Sequence, residues 1–172
     1  MSITAAYSYT CAANTGGATS LYLANKADVT SFTLVGSEYT AVTMAGGAVF
    51  FEFEVETDSL EFAETVAKGD KRSYSVEQMI NGYMPNMSTS QRNALQELID
   101  SSPCGIIAVV LDNNSNKKVV GYSQNFTTKR TAYIESIEST SGVAITDSNG
   151  SQFQIKATGN ELARIFTGTV PV

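Results

Sequence analysis

The strongest pattern in the chain is a one-by-one alternation of apolar and acidic residues after Gly46-Gly47. The alternating positions of the run 48–56 are Phe51, Glu52, Phe53, Glu54, Val55 and Glu56. Successive side chains of a strand point to opposite faces, whereas a helix would scatter these glutamates around its circumference. The pattern predicts a strand over 48–56, with the apolar side chains facing the core and the glutamates facing away from it.

Short runs of β-branched and aromatic residues predict further strands. These strands cover 21–24, 29–35, 59–66, 73–84, 105–111, 117–123, 131–138, 143–146 and 152–157. Polar clusters predict turns at 25–28, 68–71, 112–116 and 147–150. Two hairpins follow, one across the turn at 68–71 and one across the turn at 112–116.

One segment has the features of an α-helix. Ser88 is a suitable N-cap residue, and Gln91 stands three positions later as a capping-box partner. The apolar stripe that we expect to pack on the core consists of Ala94, Leu95, Leu98 and Ile99. Ser101-Ser102-Pro103 ends the helix.

These elements predict a mainly β fold, an antiparallel β-sandwich or barrel with one inserted α-helix. We expect residues 1–20, which are small and polar, to form an N-terminal arm, and residues 21–172 to form a single domain. The 172-residue chain is long enough to bury a core without disulfides or metals.

Composition excludes several classes of function. The chain contains no histidine, which excludes Ser-His-Asp and Cys-His catalysis and every zinc site that uses histidine. Its net charge of −6 argues against a protein that grips nucleic-acid phosphates. No run is long and apolar enough to span a membrane, and the N-terminus lacks the features of a signal peptide, so we expect a cytoplasmic product.

No catalytic, metal or cofactor site is expected. Cys11 and Cys104 are interpreted as reduced, partly buried thiols, and a disulfide between them is kept as the alternative. The segment 112–116 superficially resembles a calcium loop, but it lacks the required glycine and glutamate, so a hairpin turn is favoured.

The densest acidic feature contains Glu52, Glu54, Glu56, Glu61 and Glu64. A solvated strand face explains it most simply, and a hydrolase carboxylate pair is the weakest interpretation. The third interpretation is an acidic surface that repels DNA or meets a basic partner. Lys68, Lys71 and Arg72 form a basic cluster at a hairpin tip. It is either a solvated tip or a contact to a neighbouring subunit.

Several segments, in this order, resemble tail-tube-like virion proteins of phages and prophages of Bacteroidetes bacteria. They are Cys-Ala-Ala-Asn-Thr-Gly-Gly at 11–17, Leu-Tyr-Leu-Ala-Asn at 21–25, Asp-Val at 28–29, the strands at 49–55 and 61–65, the helix at 92–98, the hairpin start at 107–114, and the turn Asp-Ser-Asn-Gly at 147–150. Most of the likeness lies within residues 11–125.

The resemblance implies a structural virion protein without catalytic residues. Such subunits carry a sandwich or small barrel with a flanking helix and form rings, mostly hexameric, whose inner strands join around a channel for DNA. The expected partners are copies of the chain and other tail or neck proteins, with DNA as passing cargo. The protein would be made in the host cytoplasm and reside in the virion tail. The acidic residues Glu52, Glu54, Glu56, Glu61 and Glu64 would then face the channel.

Two alternatives remain open at this point. Related folds build hubs and collars of short-tailed phages, with other ring sizes. A protein of another class, a carbohydrate-binding β-sandwich with Tyr and Asn side chains, would stay small and bind glycans.

Overall fold

The computed structural model describes residues 14–70 and 73–172, and these form eleven strands and one α-helix. The elements are β1 (Ala18–Asn25), β2 (Val29–Val35), β3 (Glu38–Met44), β4 (Phe51–Phe53), β5 (Glu61–Lys68), β6 (Tyr74–Pro85), α1 (Thr89–Ser101), β7 (Ile106–Asp112), β8 (Lys117–Val120), β9 (Tyr133–Thr140), β10 (Gly150–Gly159) and β11 (Ile165–Phe166). The predicted fold class, mainly β with one inserted helix, is confirmed.

The strands form two open sheets. The larger sheet has the order β2-β3-β11-β8-β7-β1-β4, and the smaller has the order β5-β6-β10-β9. All neighbours pair antiparallel except β11 and β3. Both predicted hairpins are present, β5–β6 and β7–β8. Because β11 pairs with β3 on one side and β8 on the other, the C-terminal region joins the β2–β3 hairpin to the rest of the larger sheet.

The main core lies between the two sheets. Leu21 and Val110 contribute from the larger sheet, Ile80 and Ile155 from the smaller sheet, and Leu95 from α1. Strand β7 is buried on both faces, because alternate residues enter this core and a second cluster on the other side of the larger sheet. Double-sided burial explains why β7 reads as a continuous apolar run rather than as an alternation.

The second cluster is aromatic. The ring of Phe32 lies 5.2 Å from that of Tyr39, 4.9 Å from that of Tyr122 and 5.6 Å from that of Phe166. These rings come from β2, β3, β11 and the segment after β8, so the β2–β3 hairpin covers the face of the larger sheet that points away from the smaller one. Burial, with nearby Glu161, raises the pKa of Tyr39 to about 12.

The helix begins at the predicted N-cap, and one position of its predicted apolar stripe is not buried. The Ser88 hydroxyl accepts the N–H of Gln91 at 3.2 Å, which confirms the N-cap. Leu95 and Leu98 are buried, and Ala94 is half-buried. Ile99 is 45% exposed, so its assignment to the core was wrong. Gln91 is buried instead. Each helical residue is rotated by about 100° from the one before it, so position 91 lies on the same face as 95 and 98, whereas position 99 does not.

The predicted strand over 48–56 is much shorter than expected. Only Phe51–Phe53 pair with a neighbour, at the edge of the larger sheet. A turn at Thr57-Asp58, with Asp58 at a φ of 61°, then directs the chain to the smaller sheet. Strands β4 and β5 therefore belong to different sheets.

The predicted strand over 143–146 is absent. The Asp147 carboxylate accepts the N–H groups of Val143 and Ala144, each at 2.8 Å, and these bonds hold the segment in a turn. They also lower the pKa of Asp147. Val143 and Ile145 are fully exposed, so their apolar side chains do not mark a core strand.

Two strands, the start of β1 and the exposure of Cys104 also differ from expectation. Strands β3 and β11 were missed, and β1 begins at Ala18, within the segment predicted as an arm. Cys104 is exposed rather than partly buried. Residues 1–13 of the predicted arm, including Cys11, lie outside the described residues.

Candidate functional site

The outer face of the smaller sheet carries a hydrogen-bonded row of polar side chains. Asn81 on β6 donates to a Glu61 carboxylate oxygen on β5 at 3.1 Å. Gln154 on β10 donates to the Asn81 amide oxygen at 2.8 Å. These residues share a face because Glu61 is paired with Asn81 and Asn81 with Gln154 across the strands. The row fixes its side chains across three strands of the sheet.

The same face has an excess of carboxylates. Lys156 on β10 forms an ion pair with Glu77 on β6 at 3.0 Å, and the hydrogen bond that the Lys156 ammonium donates to the Glu77 carboxylate raises the pKa of Lys156. Glu138 on β9 lies opposite Gln152, whose side chain also points outward. Glu61, Glu77 and Glu138 thus share this face with one lysine, Lys156.

Strands β5 and β9 form the two edges of the smaller sheet, and each has eight residues. The Ser102 hydroxyl, just after α1, accepts the N–H of Ile134 at 2.8 Å and so covers the first part of the β9 edge. The remainder of β9, from Glu135, and the whole of β5 have no further strand partner among the described residues. Two open edges therefore lie on opposite sides of one sheet.

The five candidate glutamates do not form one surface. Glu52 lies within β4, at the edge of the larger sheet, and Glu54 and Glu56 follow this strand. Their alternation is confirmed in part, because Phe53 and Val55 pack against the main core and all three glutamates are exposed, but the expectation that Phe51 faces the core was wrong, since it is 60% exposed. Only Glu61 lies on the outer face of the smaller sheet.

Glu64 has a structural role. It lies on the same face of β5 as Phe62, which packs on the core, and it is half-buried. One Glu64 carboxylate oxygen accepts the Ala163 N–H at 2.6 Å and the Gln78 amide N–H at 3.3 Å. This carboxylate holds the segment between β10 and β11 against the sheet.

The basic cluster is described only in part. Lys68 is the last residue of β5, lies opposite Tyr74 and is exposed. Lys71 and Arg72 lie outside the described residues. Lys68 forms no ion pair with the residues that the structure describes.

Sequence reasoning missed most of the outer face. A signal was present in Gln152, Gln154 and Lys156, which alternate with buried Phe153 and Ile155. That alternation predicted a strand, but which strands stand beside it depends on pairings between residues far apart in the chain. The sequence alone therefore did not predict the polar row of Glu61, Asn81 and Gln154.

In the described ranges, no three or more His, Cys, Asp or Glu residues are grouped so that they could hold a metal ion. No described helix is long and apolar enough to cross a membrane. Comparison with models of known families, with curated proteins and with solved structures found no match to this chain.

Proposed function

We propose that the chain is a structural subunit of a closed ring, of the kind that tail-tube-like virion proteins form around a DNA channel. The observation that carries the proposal is the pair of open edges, β5 and β9, on opposite sides of the four-stranded sheet. The two-sheet fold with one helix agrees with the architecture that the sequence resemblance implies.

The strand directions favour pairing between copies. Each strand of the smaller sheet is antiparallel to its neighbour, so β5 and β9 run in opposite directions. Copies related by rotation about a ring axis would therefore place β9 of one copy antiparallel to β5 of the next. Head-to-tail contacts of this type form a ring when the rotation between successive copies closes, and they cover edges that would otherwise invite aggregation.

In such a ring, the outer face of the smaller sheet would line the channel. Glu61 and Glu138 would contribute carboxylates that form no ion pair with the described residues, while the charge of Glu77 is offset by its ion pair with Lys156. A wall with excess negative charge repels DNA phosphates and does not retain DNA that passes through. A hexamer is the ring size that the resemblance implies, and a hub or collar ring would use the same edges with another number of copies.

Crosslinking between the two edges tests this arrangement. In a background with Cys11→Ser and Cys104→Ser, we would place Ala63→Cys on β5 and Ser136→Cys on β9 and treat the double variant with a short bis-maleimide. Both positions lie on the outer face. The expected product is a ladder of covalent oligomers that ends at a closed ring. A control with Ala63→Cys and Ser31→Cys, on the edge strand β2 of the other sheet, should give no ladder.

The strongest alternative is a glycan-binding module, because the Glu61, Asn81 and Gln154 row presents polar groups on a flat sheet face. A monomer that binds a glycan array, with binding lost on Asn81→Ala, would support that alternative. A ring subunit should give the ladder and show no such glycan binding.

A further inference from the structure

A second site lies outside the proposed ring contacts. A cleft of about 620 Å³ opens between the edge strand β4 and helix α1, and Met84 and Pro85 at the end of β6 also line it. Its volume lies within the usual range of ligand-binding pockets. It belongs to the larger sheet, whereas β5 and β9 bound the smaller one.

One wall of the cleft is apolar and incompletely covered. Phe51, Phe53 and Val55 line it. Phe53 and Val55 pack against the main core, but Phe51 is 60% exposed. Strand β4 is also the last strand of its sheet and has no second strand partner among the described residues, although Phe50 just before it donates its N–H to the Pro171 carbonyl oxygen at 2.8 Å. One more strand beside β4 would pair with this edge and cover the Phe51 ring.

The cleft also holds a buried polar atom without a partner. Gln91 is more than nine-tenths buried, and its amide N–H donates to the Met84 carbonyl oxygen at 2.7 Å. Its amide oxygen has no hydrogen-bond partner among the described residues. An unsatisfied buried acceptor costs free energy, and a donor that reached this oxygen would remove that cost.

The charge of the lining identifies the complementary partner. Glu52, Glu54 and Glu97 are among the residues that line the cleft, and none of the lining residues is basic. The chain itself carries 17 acidic and 11 basic residues, so another copy is a poor electrostatic match to an acidic cleft.

We propose that the cleft between β4 and α1 binds an extended, basic segment of a different polypeptide, which adds to β4 as a further strand. Main-chain hydrogen bonds to β4 supply affinity that is independent of sequence. Alternate side chains of the segment point toward the cleft, where apolar groups cover Phe51 and Val55. Lys or Arg side chains of the segment donate to the carboxylates of the lining, one to Glu54 on β4's side and another to Glu97 on α1.

Selection from a peptide library tests the proposal. Random twelve-residue peptides displayed on yeast would be selected against the full chain, and the enriched peptides would be assayed against variants. Phe51→Asp places a charge on the apolar wall, and Glu97→Lys reverses a rim charge on an exposed helix position. Val35→Asp is the matched control, because Val35 is 61% exposed and ends the other edge strand of the same sheet.

We expect enriched peptides to alternate apolar residues with Lys or Arg. Phe51→Asp should weaken their binding at least about tenfold, as for a central apolar anchor. Glu97→Lys should weaken binding and reduce its dependence on salt, while Val35→Asp should bind like the unmodified chain. Enrichment without basic residues, equal binding to all variants, or self-association abolished by Phe51→Asp but not by Val35→Asp would each overturn the proposal.

Discussion

Truncation of Leu95 tests how α1 is held in the fold. Leu95 is 3% exposed and packs in the core between the sheets. Leu95→Ala removes three carbon groups, each worth about 0.8 kcal/mol of transfer free energy. Leu95 does not line the cleft beside α1, so the space that it leaves is enclosed and adds a cavity cost. We expect a total loss of about 3–4 kcal/mol in the free energy of unfolding, within the usual range for buried leucine.

The matched control is Ile99→Ala on the same helix. Ile99 is 45% exposed, and alanine favours helix more than isoleucine does, so the expected loss is below about 1 kcal/mol. Thermal unfolding at low protein concentration, followed by circular dichroism, would show Leu95→Ala melting roughly 6–16 °C below the unmodified chain. Equal losses for the two variants, or a loss below about 1 kcal/mol for Leu95→Ala, would refute the packing described for α1.

Three further predictions concern local interactions. Gly121→Ala should destabilise the chain by about 3 kcal/mol or more, because Gly121 has a φ of 82° and a Cβ there would lie 2.6 Å from a backbone nitrogen. Gly36→Ala, at a position with a positive φ but open space around it, should cost only about 1–2 kcal/mol. Urea unfolding measures both losses. Burial alone would raise the pKa of Asp112, but the hydrogen bonds that its carboxylate accepts from lysine and asparagine outweigh burial and lower the pKa. The unmodified chain should therefore be more stable than Asp112→Asn near neutral pH, and this difference should shrink as the pH falls below about 4. Urea titrations at several pH values measure the difference. Glu64→Ala should free the segment around Ala163 and accelerate amide hydrogen exchange there, whereas exchange in β7–β8 should not change.

Local signals predicted the elements whose stability is local. The Ser88 cap and the β7–β8 hairpin depend on neighbours within a few residues, and both are present. The extent of β4 depends instead on a distant partner, β1, and on the turn at Asp58, so an alternating pattern alone overestimated it. The strand predicted over 143–146 is absent for a different, local reason, because the Asp147 carboxylate accepts the N–H groups of Val143 and Ala144 and these bonds compete with strand formation.

The candidate site was predictable only in part. Glu61 was singled out from the sequence, and it does lie on the outer face of the smaller sheet. Glu52 and Glu54 are close to Glu61 in sequence but lie at the edge of the other sheet. The turn at Asp58, which separates them from Glu61, is too short to indicate a change of sheet. The polar partners of Glu61 come from β6 and β10, whose pairing spans more than 70 residues.

Electron microscopy of the concentrated, full-length protein tests the central claim most directly. The account predicts closed rings, most of them sixfold, in which β9 of each subunit continues antiparallel into β5 of the next and the face with Glu61 and Glu138 lines the opening. A protein that remains monomeric at every concentration, or rings in which β5 and β9 stay exposed to solvent, would contradict it.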